Sequence, residues 1–132
     1  MTTNTQVAEK IRPNSTQQPE AVNDFFRQMA ELETERQAAT EAGLPALERL
    51  AKVAERDTGQ SETVRLFLLG LYNGYRFPFS LIKLRSLDKS LFDDCLLVLT
   101  LDARVTAQEI HLYFNNGGEL FERWARMAGG EQ

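Results

Sequence analysis

The sequence predicts an all-α protein, a compact bundle of six to seven helices behind a disordered N-terminal tail. Three observations carry that expectation. Apolar residues recur three and four positions apart along most of the chain. Proline, glycine and short polar residues punctuate the pattern where helices start and stop. No two alternating segments could pair as strands of a sheet. The expected organisation is a tail over 1–18, an amphipathic helix over 19–42 and a helical core domain over 43–128.

Residues 1–18 are rich in Thr, Asn, Gln and Ser, with too little apolar surface to offset the entropy of ordering them. Pro19 suits a helix start. Val22, Phe25, Phe26, Met29 and Leu32 then form one apolar stripe. Beyond Leu32 the run "ETERQAATEA" keeps helical composition but loses the stripe, and Gly43 is expected to end the helix. Pro45 is expected to open the next, buried through Leu47, Leu50, Ala51 and Ala54, with Gly59 closing it. Ser61 is the expected cap of a third helix. That helix is apolar nearly all round through Val64, Leu66, Phe67, Leu68, Leu69 and Leu71, and Asn73-Gly74 stops it.

A short helix is expected over 80–85 with Leu81 and Leu84 inward. Asp88 is the expected cap of a fifth helix carrying Leu91, Phe92, Cys95, Leu96 and Leu99. "CLLVLTL" alone would suit a buried strand, but helical sequence runs into it without a break. Thr106 to Glu109, "TAQE", has the form of a capping box for a helix through Ile110, Tyr113 and Phe114. The last helix holds Leu120, Phe121, Trp124 and Met127.

Composition bounds the function. With 15 basic and 19 acidic residues the chain carries −4, which argues against a whole surface built for phosphate. A single cysteine excludes an internal disulfide framework and suits a reducing compartment, so a cytoplasmic protein is expected. No apolar run has the length of a bilayer span and no secretory signal is expected, so no membrane partner is expected either. One histidine, His111, cannot build a zinc cluster with Cys95 alone, and neither a P-loop nor a calcium loop is present. Cys95 with His111 would be the one nucleophile and base on offer, and Cys95 lies within an apolar stripe where a buried thiol is the ordinary case. His111 is expected on a solvated face, as are Asp93 and Asp94. Glu31, Glu33, Glu35 and Glu41 are read as solvating a helix face. The last two helices resemble a helix-turn-helix only weakly, because Glu119 and Glu122 stand beside Arg123 and Arg126. The chain is therefore expected to be no enzyme, with no catalytic, cofactor or metal residues.

"LYNGYRFPF", Leu71 to Phe79, holds four of the chain's twelve aromatic residues. Tyr75, Phe77 and Phe79 alternate with Arg76 and Pro78, so the rings are expected to plug a core edge with Arg76 outside. From residue 76 to 89, Arg76, Lys83, Arg85 and Lys89 oppose Asp88 alone, a local +3 against −7 for the remainder. Basic groups beside rings can also hold a nucleic-acid strand, which makes this rim the candidate anion site.

The segments "DTGQS", "FLLGLYNG" and "LDAR", within residues 43–104, and "EIHLYFNNGG" beyond them, resemble a family of small proteins of unknown function found on proteobacterial plasmids and integrative elements. The resemblance leaves 1–42 outside it. It implies a bacterial cytosolic accessory role on a mobile genetic element and brings no catalytic residue with it. The expected function is a non-enzymatic module that binds a protein partner, with Val22, Phe25, Phe26, Met29 and Leu32 as the candidate surface. Residues 19–42 are expected to support a homodimer, and the competing expectation folds the stripe back on its own domain. A nucleic-acid-binding accessory protein using residues 76–89 is the alternative.

Overall fold

Helix α1 runs unbroken from Gln17 to Ala54, 38 residues, in a computed structural model that describes residues 17–129. The tail expected over 1–18 falls, but for its last two residues, outside the described residues, as does everything after 129. The chain divides into a unit ending at Gln37 and a second unit beginning at Ala38. Residues 17–37 of the first unit are wholly helical and belong to α1.

The expected break at Gly43 and Pro45 does not occur, and each residue has another role. A Cβ on Gly43 would stand 2.7 Å from Leu101 Cβ and 3.2 Å from the Leu97 carbonyl, so the glycine is there for close packing. Pro45 sits exposed inside the helix and cannot donate to the carbonyl one turn back. That costs about 3 kcal/mol. Burial of Leu47 and Leu50, just beyond it, contributes about 1.5–3 kcal/mol each and outweighs the loss.

Helix α2, Gly59–Tyr72, begins two residues before the cap expected at Ser61. Thr58 is the cap: its Oγ1 accepts from the Ser61 amide at 3.0 Å, while Ser61 itself is buried. Val64, Phe67, Leu68 and Leu69 face the core, as the periodicity requires. Arg65, also buried, turns to the end of α1, where its Nη1 donates to the Ala54 and Arg56 carbonyls at 2.9 and 2.7 Å. A cation at a helix C-terminus satisfies both the orphan carbonyls and the dipole.

After α2 the Asn73 side chain accepts from the amides of Tyr75 and Arg76, folding the chain into a local turn. Phe77 and Phe79 return along α2, and Gly70 leaves space for them: a Cβ there would lie 3.2 Å from Phe79 Cβ. Two 3-10 helices, Leu81–Ser86 and Ile110–Tyr113, replace the α-helices expected at 80–85 and 106–114. Leu81, expected inward, is 74% exposed, whereas Leu84 is partly buried.

Helix α3, Lys89–Thr100, is capped by Asp88 as expected; its Oδ1 accepts from the Leu91 amide at 3.0 Å. A π-helical turn over Leu101–Val105 follows directly. Thr106 then takes a left-handed conformation, φ 54°, and caps that turn at its C-terminal end. The expected capping box is therefore not formed. Helix α4, Gly117–Gly129, follows a second left-handed residue, Asn116. Gly117 admits no side chain, since a Cβ would fall 1.6 Å from the His111 carbonyl oxygen.

The described residues thus hold four α-helices, two 3-10 helices and one π turn. The all-α class stands. The count of six to seven helices is corrected, because α1 fuses two expected helices and two others tighten into 3-10 turns. Within the second unit the core joins α1 beyond Ala46 to α2, α3 and α4 through Leu50, Leu68, Val98, Ile110, Phe121 and Trp124, all inaccessible to solvent.

Candidate functional site

Among the described residues of the N-terminal unit, the stripe on α1 is the apolar feature left uncovered. Phe25, Phe26, Met29 and Leu32 are 56%, 62%, 50% and 48% exposed, and Val22 is partly so. The two rings meet edge to face at 5.5 Å. Six carboxylates, Glu20, Asp24, Glu31, Glu33, Glu35 and Glu41, share residues 17–42 with Arg27 and Arg36 alone. Arg27 is held by Asp24 one turn earlier.

The four cations of the candidate rim are not equivalent. The Arg76 guanidinium forms a double contact with Glu122, at 2.6 and 3.1 Å, and lies over the Phe77 ring. Lys89 pairs with Asp93 at 2.6 Å. Of these four, Lys83 and Arg85 have no ion-pair partner among the described residues, and both sit in the 3-10 helix whose Leu81 and Ile82 are 74% and 62% exposed. The expected alternation of rings is corrected at one position: Phe77 and Phe79 pack on the core, but the Tyr75 ring is fully exposed, carried outward by the Asn73 turn.

Glu122 gathers three groups. It accepts from the Tyr72 hydroxyl at 2.6 Å as well as from Arg76. The Arg76 contact first, then the Tyr72 hydrogen bond, pull its carboxyl down to about 2. The same hydrogen bond raises the Tyr72 phenol. Beside Tyr72, an open cleft of about 560 Å³ is lined by Tyr75, Asp102, Thr106, Gln108 and Glu109. Burial, and then the Glu109 charge, raise the Asp102 carboxyl. A second cleft, about 670 Å³, lies along the start of α4 and mixes Glu119 and Glu122 with Arg123 and Arg126.

Cys95 and His111 sit in unlike surroundings. The Cys95 thiol has no solvent exposure, and burial pushes it up to about 12, so it stays protonated at neutral pH and is a poor nucleophile. His111 is not on a solvated face as expected. Its ring packs 5.1 Å from Tyr72 and 6.5 Å from Phe121, inside an aromatic cluster completed by Phe114 and Trp124. Asp94 also departs from expectation. It is buried, and both its oxygens accept from Arg49, at 2.8 and 3.0 Å, across to α1. Arg123 is committed as well, to a double contact with Glu55 that also takes the Trp124 indole N–H at 3.1 Å. With Ile110–Tyr113 a single 3-10 turn, the helix-turn-helix likeness lacks its first helix, and Trp124 of α4 is buried. Among the described residues no three His, Cys, Asp or Glu side chains gather as a metal site would require, and no helix is long and apolar enough to cross a membrane.

The three ion pairs Arg49–Asp94, Arg76–Glu122 and Arg123–Glu55 escaped sequence reasoning because their partners lie 45 to 68 residues apart. The α1 stripe and the basic residues of 76–89 were legible as candidates, but which of those cations are paired was not. The chain belongs to DUF7673, a family of unknown function, whose match covers residues 44–129. The stripe lies before that match and the 3-10 helix within it. No curated protein and no solved structure matches the chain.

Proposed function

We propose that the chain is a non-enzymatic helical interaction module that binds a protein partner through Val22, Phe25, Phe26, Met29 and Leu32 of α1. The observation that carries this reading is the exposure of four large apolar side chains on one stripe of one helix. A stripe of that size costs solubility unless something covers it, and helix-in-groove binding is the usual way an amphipathic helix is covered. The finer setting, an accessory factor of a mobile element acting in the cytoplasm, rests on the sequence resemblance and the single cysteine. The nucleic-acid reading of residues 76–89 has weaker support, since Arg76 and Lys89 are already paired with carboxylates.

The test is capture from host extract by the full chain and by a Phe25→Ser/Phe26→Ser variant. The reading expects a specific protein retained by the wild type and lost by the variant, with the variant's circular dichroism unchanged. Equal retention by both would overturn it.

A further inference from the structure

The α1 stripe and the Leu81–Ser86 turn, two of the exposed apolar features among the described residues, differ in their electrostatics. Residues 17–42 carry six carboxylates against two guanidiniums, a net −4. Packed helices lie about 8–10 Å apart, close to the Debye length of about 10 Å at 0.1 M salt. Stripe-to-stripe pairing of two copies would therefore set −4 beside −4 within the range where charge still acts. A homodimer built that way opposes its own apolar gain.

The 3-10 helix Leu81–Ser86 has the reverse character. Leu81 and Ile82 project into solvent, and Lys83 and Arg85 beside them have no ion-pair partner among the described residues. Elsewhere on the second unit Arg49, Arg76 and Arg123 are committed to Asp94, Glu122 and Glu55, while Lys52, Arg56, Arg104 and Arg126 form no ion pair among the described residues. An apolar wedge with two free cations is the complement of an apolar stripe on an acidic helix.

We infer that the partner fitted by the α1 stripe is a second copy of this chain, which docks the Leu81–Arg85 turn onto Phe25, Phe26 and Met29. The inference rests on the reading of α1 as a partner-binding helix and gives that helix an occupant. Half-exposed aromatic and aliphatic side chains each offer on the order of 100 Å², so the stripe and the turn together remove roughly 600 Å² per contact. That lies below the roughly 1,200 Å² at the lower edge of stable interfaces. The association is thus weak and sensitive to salt. The homodimer expected from the sequence is retained in this form, but its contact is heterologous in its residues: stripe to turn, not stripe to stripe.

Sedimentation velocity on the full chain tests this with two variants, Phe25→Ser/Phe26→Ser, which removes the stripe, and Lys83→Glu/Arg85→Glu, which reverses the turn. All four positions are exposed, and circular dichroism confirms that each variant is folded. The wild type is expected to associate, and to dissociate as salt rises from about 0.05 to 0.5 M. Each variant alone is expected to lose association by about tenfold or more. An equimolar mixture is expected to recover part of it, because one variant keeps its turn and the other its stripe. Association of the turn variant as strong as wild type would overturn the inference in favour of stripe-to-stripe pairing. A wild type that stays monomeric at about 200 µM would overturn it too. In that event, loss of host-protein capture in the stripe variant would leave the broader reading of α1 standing, and capture unaffected by the variant would remove both. Binding of the turn to an acidic lipid vesicle or a DNA strand, lost in Lys83→Glu/Arg85→Glu while self-association persists, would assign the turn another partner and overturn the inference.

Discussion

Cys95 shows how one residue's surroundings decide its chemistry. Its thiol is inaccessible, and burial rather than any partner holds it near 12. Thiol reagents react with the thiolate and need access, so labelling of native protein at pH 7.5 should be slower than in denaturant by about a thousandfold or more. Ellman's reagent measures both rates; comparable rates would mean that the core around α3 opens readily. Burial of Cys95 was legible from its apolar neighbours, and the Asp88 cap from its place before them. Thr106 was misread for a physical reason. The string Thr-x-x-Glu fits a capping box, but a box needs Thr106 in extended backbone, and the π turn before it leaves that residue at φ 54°. Gly117 opens α4, and its contact with the His111 carbonyl is set by tertiary packing that no local pattern encodes.

Among the elements, α1 departs furthest from its sequence signals. Glycine and proline two residues apart ordinarily end a helix, and here the buried face on Leu47 and Leu50 carries the helix through them. Pro45 is exposed and its missing amide leaves a carbonyl unpaired, so Pro45→Ala should stabilise the fold by about 2 kcal/mol, the helix gain less the entropy regained by the unfolded chain. Urea denaturation gives that value directly, and destabilisation would show that the proline has a packing role. The contact of α4 with α2 has its own signature in pH. Glu122 falls from 4.5 to about 2 on folding, chiefly through Arg76 and then Tyr72. A depressed carboxyl contributes stability that is present in full above its unfolded value and lost as pH falls through its folded value, so the loss runs from about pH 5 down to 2. With 38% of the side chain exposed, screening limits the effect to about 1 kcal/mol. Glu122→Gln should flatten that part of the pH–stability curve, and an unchanged slope would mean the contact adds nothing to folding.

At the scale of the whole molecule, the all-α class was legible because helical periodicity survives every local exception, from Val64–Leu68 to Phe121–Trp124. The long-range ion pairs of Asp94, Glu55 and Glu122 were not, because pairing across 45 to 68 residues leaves no mark in spacing. The family match at 44–129 falls within the second unit, and the stripe of α1 lies outside it. The central claim is that this stripe serves binding and not folding. Thermal unfolding of the full chain followed by circular dichroism tests it most directly, with all of Phe25, Phe26, Met29 and Leu32 changed to Ser and with Leu68→Ala as the core control. Exposed positions away from caps and pairs change stability by about 0.5 kcal/mol or less each and in either direction, so the four changes partly offset and the stripe variant should melt within about 5 °C of wild type at a concentration too low for association. The control, a buried leucine, should lose about 2–5 kcal/mol and melt about 10 °C lower or more. A stripe variant that melts as low as the control would contradict the account, and would place those four side chains in the core of their own chain.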